Sequence, residues 1–213
     1  MKSQNNNSLD LEKEYLNENI KLIAGCDEAG RGPLAGPVVC AAVILPNGYS
    51  NPLINDSKKL SEKKREALFD IVIKDALAYS IISIEPEEID RINIYEASRL
   101  GMYKAILNLK IKPDFVLTDA MPIPQLDIPY APIIKGDAKS INIAAASILA
   151  KVTRDRIMKE IDAKYPEYQF SRHKGYPTKL HIELLNQYGP VKGLYRYSYG
   201  PVRDALEEQI KII

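Results

Sequence analysis

The alternation of apolar and polar positions along the chain predicts a mixed α/β protein in which three strands come first. Apolar runs bounded by turn residues indicate strands at residues 22–27, 38–45, 78–84, 115–119 and 131–135. Apolar residues at helical spacing indicate helices at residues 61–74, 93–109, 137–163, 178–188 and 202–210, with a short helical segment opening at residue 85. Residues 49–60 are predicted to be a loop.

The order of these elements predicts how the strands pair. The first three strands are close enough in sequence to form an antiparallel meander, whereas the fourth follows a helix and can run parallel to the first. We therefore expect a mixed sheet flanked by helices, with the ends of the first and fourth strands at one edge. Residues 1–19 are expected to be a polar extension, residues 20–164 the main domain and residues 165–213 a small helical part.

Composition fits a globular protein and indicates no membrane partner. The chain has 213 residues, of which 46% are hydrophobic. No apolar run approaches the ~18 residues that span a bilayer, and the N-terminal segment has no apolar signal-peptide core. We expect a cytoplasmic protein whose two cysteines, Cys26 and Cys40, are reduced and buried.

The net charge of +1 implies no polyanionic partner by itself, but the charges are unevenly distributed. Lys and Arg exceed Asp and Glu from residue 139 onward, and the reverse holds before it. An acidic first part and a basic second part suit a protein that binds cations at one place and phosphates at another. Random variation over a solvated surface explains the same distribution almost as well.

Four carboxylates are candidates for a site at the predicted sheet edge. Asp27 and Glu28 end the first strand, Asp119 ends the fourth, and Asp137 opens the long helix that follows the fifth. Taken singly, each has an ordinary explanation, since a strand-end Asp is usually a turn residue and Asp137 could cap its helix. Together they would repel one another unless a cation lay between them. Oxygen ligands without His or Cys favour Mg²⁺ or Mn²⁺, and two ions ~4 Å apart would suit phosphodiester hydrolysis.

Gly30, Arg31 and Gly32 follow the acid pair after one intervening residue, Ala29. Two glycines around one arginine let the backbone approach a ligand closely while the guanidinium reaches a phosphate. Alone, this tripeptide is weak evidence, but beside strand-end acids it favours a phosphate-containing substrate.

Four ordered blocks carry a resemblance to a known family. The segments CDEAGRGPLAGPVVCAAVIL, DSKKLSEKKRE, KGDAKSINIAAASILAKVTRD and HKGYPT resemble ribonuclease HII, the type 2 ribonuclease H, and together extend from about residue 25 to residue 178. The resemblance implies the ribonuclease H fold, a mixed five-stranded sheet flanked by helices with a small helical C-terminal part. It implies a metal-dependent endoribonuclease that cleaves the RNA strand of RNA–DNA hybrids and incises 5′ to single ribonucleotides in duplex DNA.

The resemblance also implies roles for individual residues. Asp27, Glu28, Asp119 and Asp137 would hold Mn²⁺ or Mg²⁺ and act in catalysis. Gly30, Arg31 and Gly32 would contact the ribonucleotide 2′-hydroxyl and its phosphates, and Tyr176 would stack on a sugar, although a tyrosine packed in the core is the alternative. Candidate phosphate contacts, each equally explicable as a surface charge, are Lys58, Lys139, Arg154, Arg172, Lys174 and Lys179.

One departure from the family pattern lies near the C-terminus. Many relatives have a His-Arg-Arg-Ser-Phe-like stretch where this chain has Tyr195 to Tyr199, which places substrate contact by the tail in doubt but not the metal site. The last residues contain no aromatic sliding-clamp motif, so we expect no such partner, and we expect a monomer. The alternatives are a non-catalytic hybrid-binding module and another nuclease of the same fold, such as a ribonuclease HIII or a junction resolvase.

Overall fold

A mixed five-stranded sheet forms the centre of the computed structural model, which describes residues 9–55 and 61–212. The strands are β1 (Ile23–Ala29), β2 (Val38–Ile44), β3 (Ala78–Ile84), β4 (Phe115–Asp119) and β5 (Tyr130–Ile133). Their order is β3-β2-β1-β4-β5, with β1, β2 and β3 antiparallel neighbours and β4 parallel to both β1 and β5. The predicted meander and the predicted parallel pair are both confirmed.

Eight helices accompany the sheet in the described parts of the chain. Their bounds are α1 (Pro52–Asn55), α2 (Glu62–Asp75), α3 (Pro86–Ile92), α4 (Ile94–Leu107), α5 (Ile141–Lys164), α6 (Phe170–His173), α7 (Lys179–Tyr188) and α8 (Gly200–Ile212). None of them combines the length and the apolar character that crossing a membrane requires.

The sheet is covered on both faces, which explains the unbroken apolar sequence of β2. Val39, Ala41 and Val43 pack in a cluster with residues of α2 and α5. The alternate residues of β2, among them Cys40, lie in a second cluster with residues of α4. Because successive strand residues face opposite sides, a strand between two helical layers must be apolar at every position.

Helix α5 lies very close to β1. A Cβ atom on Gly25 would come within 2.1 Å of the Asn142 carbonyl carbon and 2.2 Å of the Ile143 nitrogen. The run Ala144–Ala145–Ala146, whose members are all buried, gives the helix a narrow face there. Gly25 precedes Asp27 by two residues in β1, so this close contact also fixes the position of α5 relative to Asp27.

Residues 165–212 pack around a cluster of their own. Tyr168, Phe170, Leu185 and Val202 lie in it together with Leu34, which belongs to the loop between β1 and β2. The C-terminal part therefore packs directly against the loop that contains Gly30 and Arg31.

The segment before β1 is more ordered than a frayed extension. Leu11–Glu14 form a 3₁₀ turn, and Leu9 is buried against the α5 side of the sheet. Glu12 Oε1 accepts hydrogen bonds from the Ser140 hydroxyl and from the backbone and side-chain nitrogens of Asn142. The described part of the segment is thus bonded to the start of α5.

Several predicted boundaries were wrong. The long helix begins at Ile141 and not at Asp137, because Ser140 is its N-cap and accepts a hydrogen bond from the Ile143 N–H. Helix α1 interrupts the predicted loop at residues 49–60 because Ile54 is buried in the core. Strand β5 begins one residue earlier and ends two residues earlier than predicted, and α8 is longer at both ends.

Candidate active site

Three carboxylates meet at the edge of the sheet where β1 and β4 end. Cys26 of β1 is paired with Thr118 of β4, so the next residues along the two parallel strands are Asp27 and Asp119. Desolvation is the main cause of the raised pKa of Asp27 and of Glu28, and the charge of Asp119 raises both further. The structure therefore places Asp27, Glu28 and Asp119 at the same edge of the sheet.

Asp27 and Glu28 both lie within β1, which continues to Ala29 without a bend. Successive strand residues face opposite sides, so the two carboxylates leave the strand on different faces. Asp27 interacts with Ser147 of α5, and Glu28 with Arg31, 3.5 Å away. Both carboxylates nevertheless lie close enough to Asp119 to interact with its charge, because β1 ends at this edge of the sheet.

Burial makes the charged form of Asp27 unfavourable. The side chain is buried, and desolvation raises its pKa well above the usual range, with the charges of Glu28 and Asp119 acting in the same direction. The Glu28 amide donates a 2.7 Å hydrogen bond to Asp27 Oδ1 and partly offsets this effect. A positive charge at this position would therefore favour the ionised form of Asp27.

Desolvation also raises the pKa of Glu28, while the nearby Arg31 lowers it. In the described parts of the chain, Glu28 Oε2 is one of the few buried side-chain oxygens without a hydrogen-bond partner. A buried carboxylate oxygen in that position is expected to receive a ligand.

A short turn after β5 supports Asp119. Lys135 has a left-handed backbone with φ of 55°, and Gly136, the first residue of the 3₁₀ turn Gly136–Ala138, donates its N–H to Asp119 Oδ1 at 2.7 Å. A side chain at Gly136 would collide with Ile143 at 2.6 Å. Glycine therefore allows this turn to lie between α5 and Asp119.

Asp137 is the middle residue of that turn and follows the Asp119 partner directly. Its ordinary explanation as the cap of the long helix does not hold, because Ser140 caps α5. In the described residues, no group of three His, Cys, Asp or Glu side chains lies in a metal-binding arrangement. The protein side chains alone therefore do not bring the four predicted carboxylates into one such group.

The loop after β1, residues 30–37, is here called the glycine loop. Gly30 has φ of +100°, which favours glycine, and a Cβ there would lie 2.1 Å from Arg154 Nε. The Arg31 side chain is 46% exposed at the rim of the carboxylate edge. The backbone conformation of Gly30, which favours glycine, therefore determines the direction of the chain two residues after Glu28.

Tyr176 lies beside the glycine loop, and its side chain is not packed in the hydrophobic core. The residue is 41% exposed, and its Cε1 atom is 3.7 Å from where a Cβ on Gly32 would be. The Leu34 amide donates to the Gly175 carbonyl, which joins the glycine loop to the segment before Tyr176. The structure thus brings Arg31, Gly32 and Tyr176 together on an open surface.

Arg154 was predicted as a phosphate contact, and that prediction is wrong. The side chain is 1% exposed and donates to the carbonyls of Pro37, Ala35 and Lys174. Burial, together with the charge of Arg196, lowers the pKa of Arg154 to about 10. Arg154 therefore holds the glycine loop from the interior of the protein. Lys58, another of the predicted phosphate contacts, lies outside the described residues.

Sequence reasoning missed two further residues at the glycine loop. Arg196 is fully buried and donates to the carbonyls of Gly30, Arg31 and Gly36. The Tyr199 hydroxyl donates to the Arg31 carbonyl at 2.7 Å. A buried arginine bound to backbone carbonyls has no periodic sequence pattern, so only the Arg-Tyr composition of this stretch could have drawn attention to it.

Comparisons with solved structures define the class to which this fold and site belong. The ribonuclease H2 of Pyrococcus horikoshii OT3 superposes with a TM-score of 0.78 at 30% identity, over 89% of this chain and 99% of that one. Bst-RNase HIII, solved in complex with Mn²⁺, has a TM-score of 0.65 over 91% of this chain and 72% of its own; at 14% identity the likeness shows the fold alone. The molecule has the ribonuclease H fold.

The family model of ribonuclease HII matches residues 24–201. The Ribonuclease HII of Caldicellulosiruptor bescii is 52% identical over 197 residues, which cover 92% of this chain and 95% of that protein. The chain belongs to the ribonuclease HII family and is a ribonuclease H hydrolase, an endonuclease acting on RNA strands. It is therefore an enzyme and not a non-catalytic binding module.

Proposed function

We propose that the enzyme cleaves the RNA strand of RNA–DNA hybrids and also incises duplex DNA 5′ to a single ribonucleotide, leaving 5′-phosphate and 3′-hydroxyl ends. The observation that carries the proposal is the adjacency of two elements. Buried Asp27 and partly buried Glu28 lie near the end of β1 beside Asp119, and the glycine loop begins two residues after Glu28. Groups suited to hydrolysis and groups suited to reading a sugar–phosphate backbone thus lie close together in the chain, separated only by Ala29.

Asp27, Glu28, Asp119 and Asp137 are the residues that would hold a divalent metal ion, Mg²⁺ or Mn²⁺. These residues fit a divalent metal ion for two reasons. The charges of neighbouring carboxylates raise the pKa of Asp27 and Glu28, an effect that a cation would reverse, and Glu28 Oε2 is buried without a hydrogen-bond partner among the described residues. Mg²⁺ is commonly bound by one or two carboxylates together with substrate phosphate and water, so a protein without a complete ligand cage still suits it. Bound ions, two in the proposed mechanism, supply activation of water and stabilisation of charge on the phosphate.

The remaining groups orient the substrate. Arg31 can bind a phosphate, and the backbone around Gly30 and Gly32 can approach a 2′-hydroxyl closely, which distinguishes RNA from DNA. The exposed ring of Tyr176 lies next to Gly32 and can stack on the neighbouring sugar. Arg31, Gly32 and Tyr176 therefore form one surface for the ribonucleotide and the residue beside it.

An incision assay tests the proposal directly. A labelled duplex with one ribonucleotide, an RNA–DNA hybrid, an all-DNA duplex and a four-way junction are incubated with the protein and Mg²⁺ or Mn²⁺. We expect incision 5′ to the ribonucleotide and within the hybrid's RNA strand, with the other two substrates intact. Cleavage of the hybrid alone would indicate a ribonuclease HIII-like specificity, and cleavage of the junction a resolvase, and either result would overturn the proposed specificity.

The Asp27→Asn variant tests the metal-binding carboxylate without relying on activity alone. We expect cleavage to fall at least about 1000-fold, as for loss of a group central to the chemistry. In metal-free buffer, the variant should have a higher Tm than wild type because it removes buried charge, and Mn²⁺ should raise the Tm of wild type but hardly that of the variant. Equal Mn²⁺-induced shifts in both proteins would exclude Asp27 as a ligand.

A further inference from the structure

Arg196 holds the glycine loop by its carbonyl groups. Its Nη2 donates to the Gly30 carbonyl at 2.7 Å and to that of Gly36 at 2.9 Å, and Nε bonds the same Gly36 oxygen at 3.1 Å. Its Nη1 donates to the Arg31 carbonyl at 3.0 Å. One planar, fully buried guanidinium thus fixes three peptide groups of the glycine loop.

Tyr199 adds a second bond at the central residue of the Gly30–Gly32 tripeptide. Its hydroxyl donates to the Arg31 carbonyl at 2.7 Å and accepts from Arg196 Nη1 at 3.1 Å, while the guanidinium lies 5.3 Å from the ring centroid. The Arg31 carbonyl therefore has two donors, both from the C-terminal segment. Arg31 is the residue whose side chain is exposed toward the carboxylate edge.

The segment that carries these two side chains is itself fixed to the main domain. Asp90 of α3 accepts the Tyr197 N–H at 2.8 Å, the Ser198 N–H at 2.9 Å and the Ser198 hydroxyl at 2.6 Å. A carboxylate with three donors on two consecutive residues leaves the chain between Arg196 and Tyr199 little freedom to shift.

The direction of these bonds determines what the loop offers to a substrate. In a planar trans peptide, the N–H lies opposite the C=O of the same peptide group. The peptide groups whose carbonyls bind Arg196 and Tyr199 carry the N–H groups of Arg31 and Gly32, so both N–H groups point away from the C-terminal segment. A loop held in this way presents backbone donors and one guanidinium on its outer side.

We propose that Arg196 and Tyr199 are positioning residues that set the preference of the enzyme for a ribonucleotide over a deoxyribonucleotide. The inference rests on the proposed function of the glycine loop. Arg196 is fully buried and acts through the Gly30 and Arg31 carbonyls, and Tyr199 acts through the Arg31 carbonyl. Loosening the loop misplaces the donors that recognise the ribose and leaves general attraction to a duplex unchanged.

The test compares two tyrosine hydroxyls of the same segment. Tyr199→Phe removes the bond to the Arg31 carbonyl and the bond accepted from Arg196 Nη1. Tyr197→Phe removes a 3.2 Å bond to the Pro190 carbonyl, which is outside the glycine loop. For each variant we measure kcat and KM on a duplex with one ribonucleotide, the inhibition constant of the matching all-DNA duplex, and Tm. The ratio of that inhibition constant to KM reports preference for the ribonucleotide.

We expect the ratio to fall about five- to tenfold in Tyr199→Phe, as for loss of the hydrogen bond that holds the Arg31 carbonyl, and to stay within twofold in Tyr197→Phe, with similar Tm values. Arg196→Lys keeps the charge but lacks the planar fork that makes the four bonds to the loop carbonyls, and its ratio should fall further. Equal ratios in the two tyrosine variants, or parallel losses toward both duplexes, would overturn the inference. Absence of ribonucleotide preference in wild type would instead refute the proposed function on which it rests.

Discussion

Buried polar side chains of the C-terminal part bond backbone and one another rather than solvent. His181 Nδ1 lies 2.9 Å from the Tyr176 carbonyl and Nε2 lies 2.9 Å from the Tyr195 hydroxyl, an arrangement that suits a neutral ring donating at Nδ1 and accepting at Nε2. The ring of His173 stacks on it with centroids 4.1 Å apart. Tyr195 completes this network through its hydroxyl group.

His181 should therefore make stability depend on pH. Burial, followed by the nearby His173, lowers the pKa of His181 from 6.5 to about 4. The unfolded chain binds the proton more readily, so stability is retained above pH 6.5 and lost as pH falls toward 4. We expect the free energy of unfolding to decrease by about 2 kcal/mol from this group between pH 7 and pH 5.

Urea unfolding at pH 7, 6 and 5 measures this contribution. The His181→Gln variant has a lower stability at pH 7 but a shallower dependence on pH than wild type. Parallel curves for the two proteins would show that His181 does not carry the effect.

At the scale of elements, the contact between β1 and α5 determines where Asp27 lies. Gly25 is the residue at which the strand and the helix backbone come closest. We expect Gly25→Ala to destabilise the protein by about 3 kcal/mol or more, because both colliding atoms belong to the α5 backbone and cannot rotate away. Equilibrium denaturation measures the change.

Gly200 provides the matched control for this substitution. A Cβ there meets nothing within 4 Å, and the residue opens α8. Gly200→Ala should leave stability unchanged or raise it slightly, since alanine favours helix. A Gly25→Ala protein as stable as Gly200→Ala would mean that β1 and α5 are further apart than described.

Elements with strong apolar patterns were predictable from the sequence, and elements fixed by single polar contacts were not. Strands β3 and β4 have the predicted bounds because turn residues delimit their apolar runs. The start of α5 was misplaced because Asp137 and Ser140 are both capable caps, and only the contacts of Ser140 decide between them. Asp27, Glu28 and Asp119 were predictable at one edge from strand order, whereas the roles of Arg154 and Arg196 depend on tertiary burial that no local pattern records.

At the scale of the whole molecule, distant parts of the chain are bonded around the carboxylate edge. The turn of residues 11–14 reaches the start of α5 through Glu12, and the backbone of Leu11 donates to the Lys139 carbonyl at 3.1 Å. The segment before β1 therefore supports the stretch between Gly136 and α5, in which Asp137 lies.

Replacing Glu12 should expose this connection. We expect Glu12→Ala to lower the free energy of unfolding by about 2 kcal/mol, because the Ser140 and Asn142 donors lose their shared acceptor. Glu14→Ala, in the same turn but at an exposed position, should change it by less than about 0.5 kcal/mol. Chemical denaturation of both variants compares them, and similar losses would show that the turn contributes only general helical structure.

The bonds between Arg196 and the glycine loop join residues more than 160 positions apart in sequence. During synthesis on the ribosome, the β1 carboxylates and Arg31 emerge long before the side chains that fix their loop. A partly translated chain can form the central strands but cannot give the loop its final shape until residues 196–199 have left the exit tunnel. Preference for a ribonucleotide would then arise only after residues 196–199 have joined the fold, later than the assembly of the strands that carry the carboxylates.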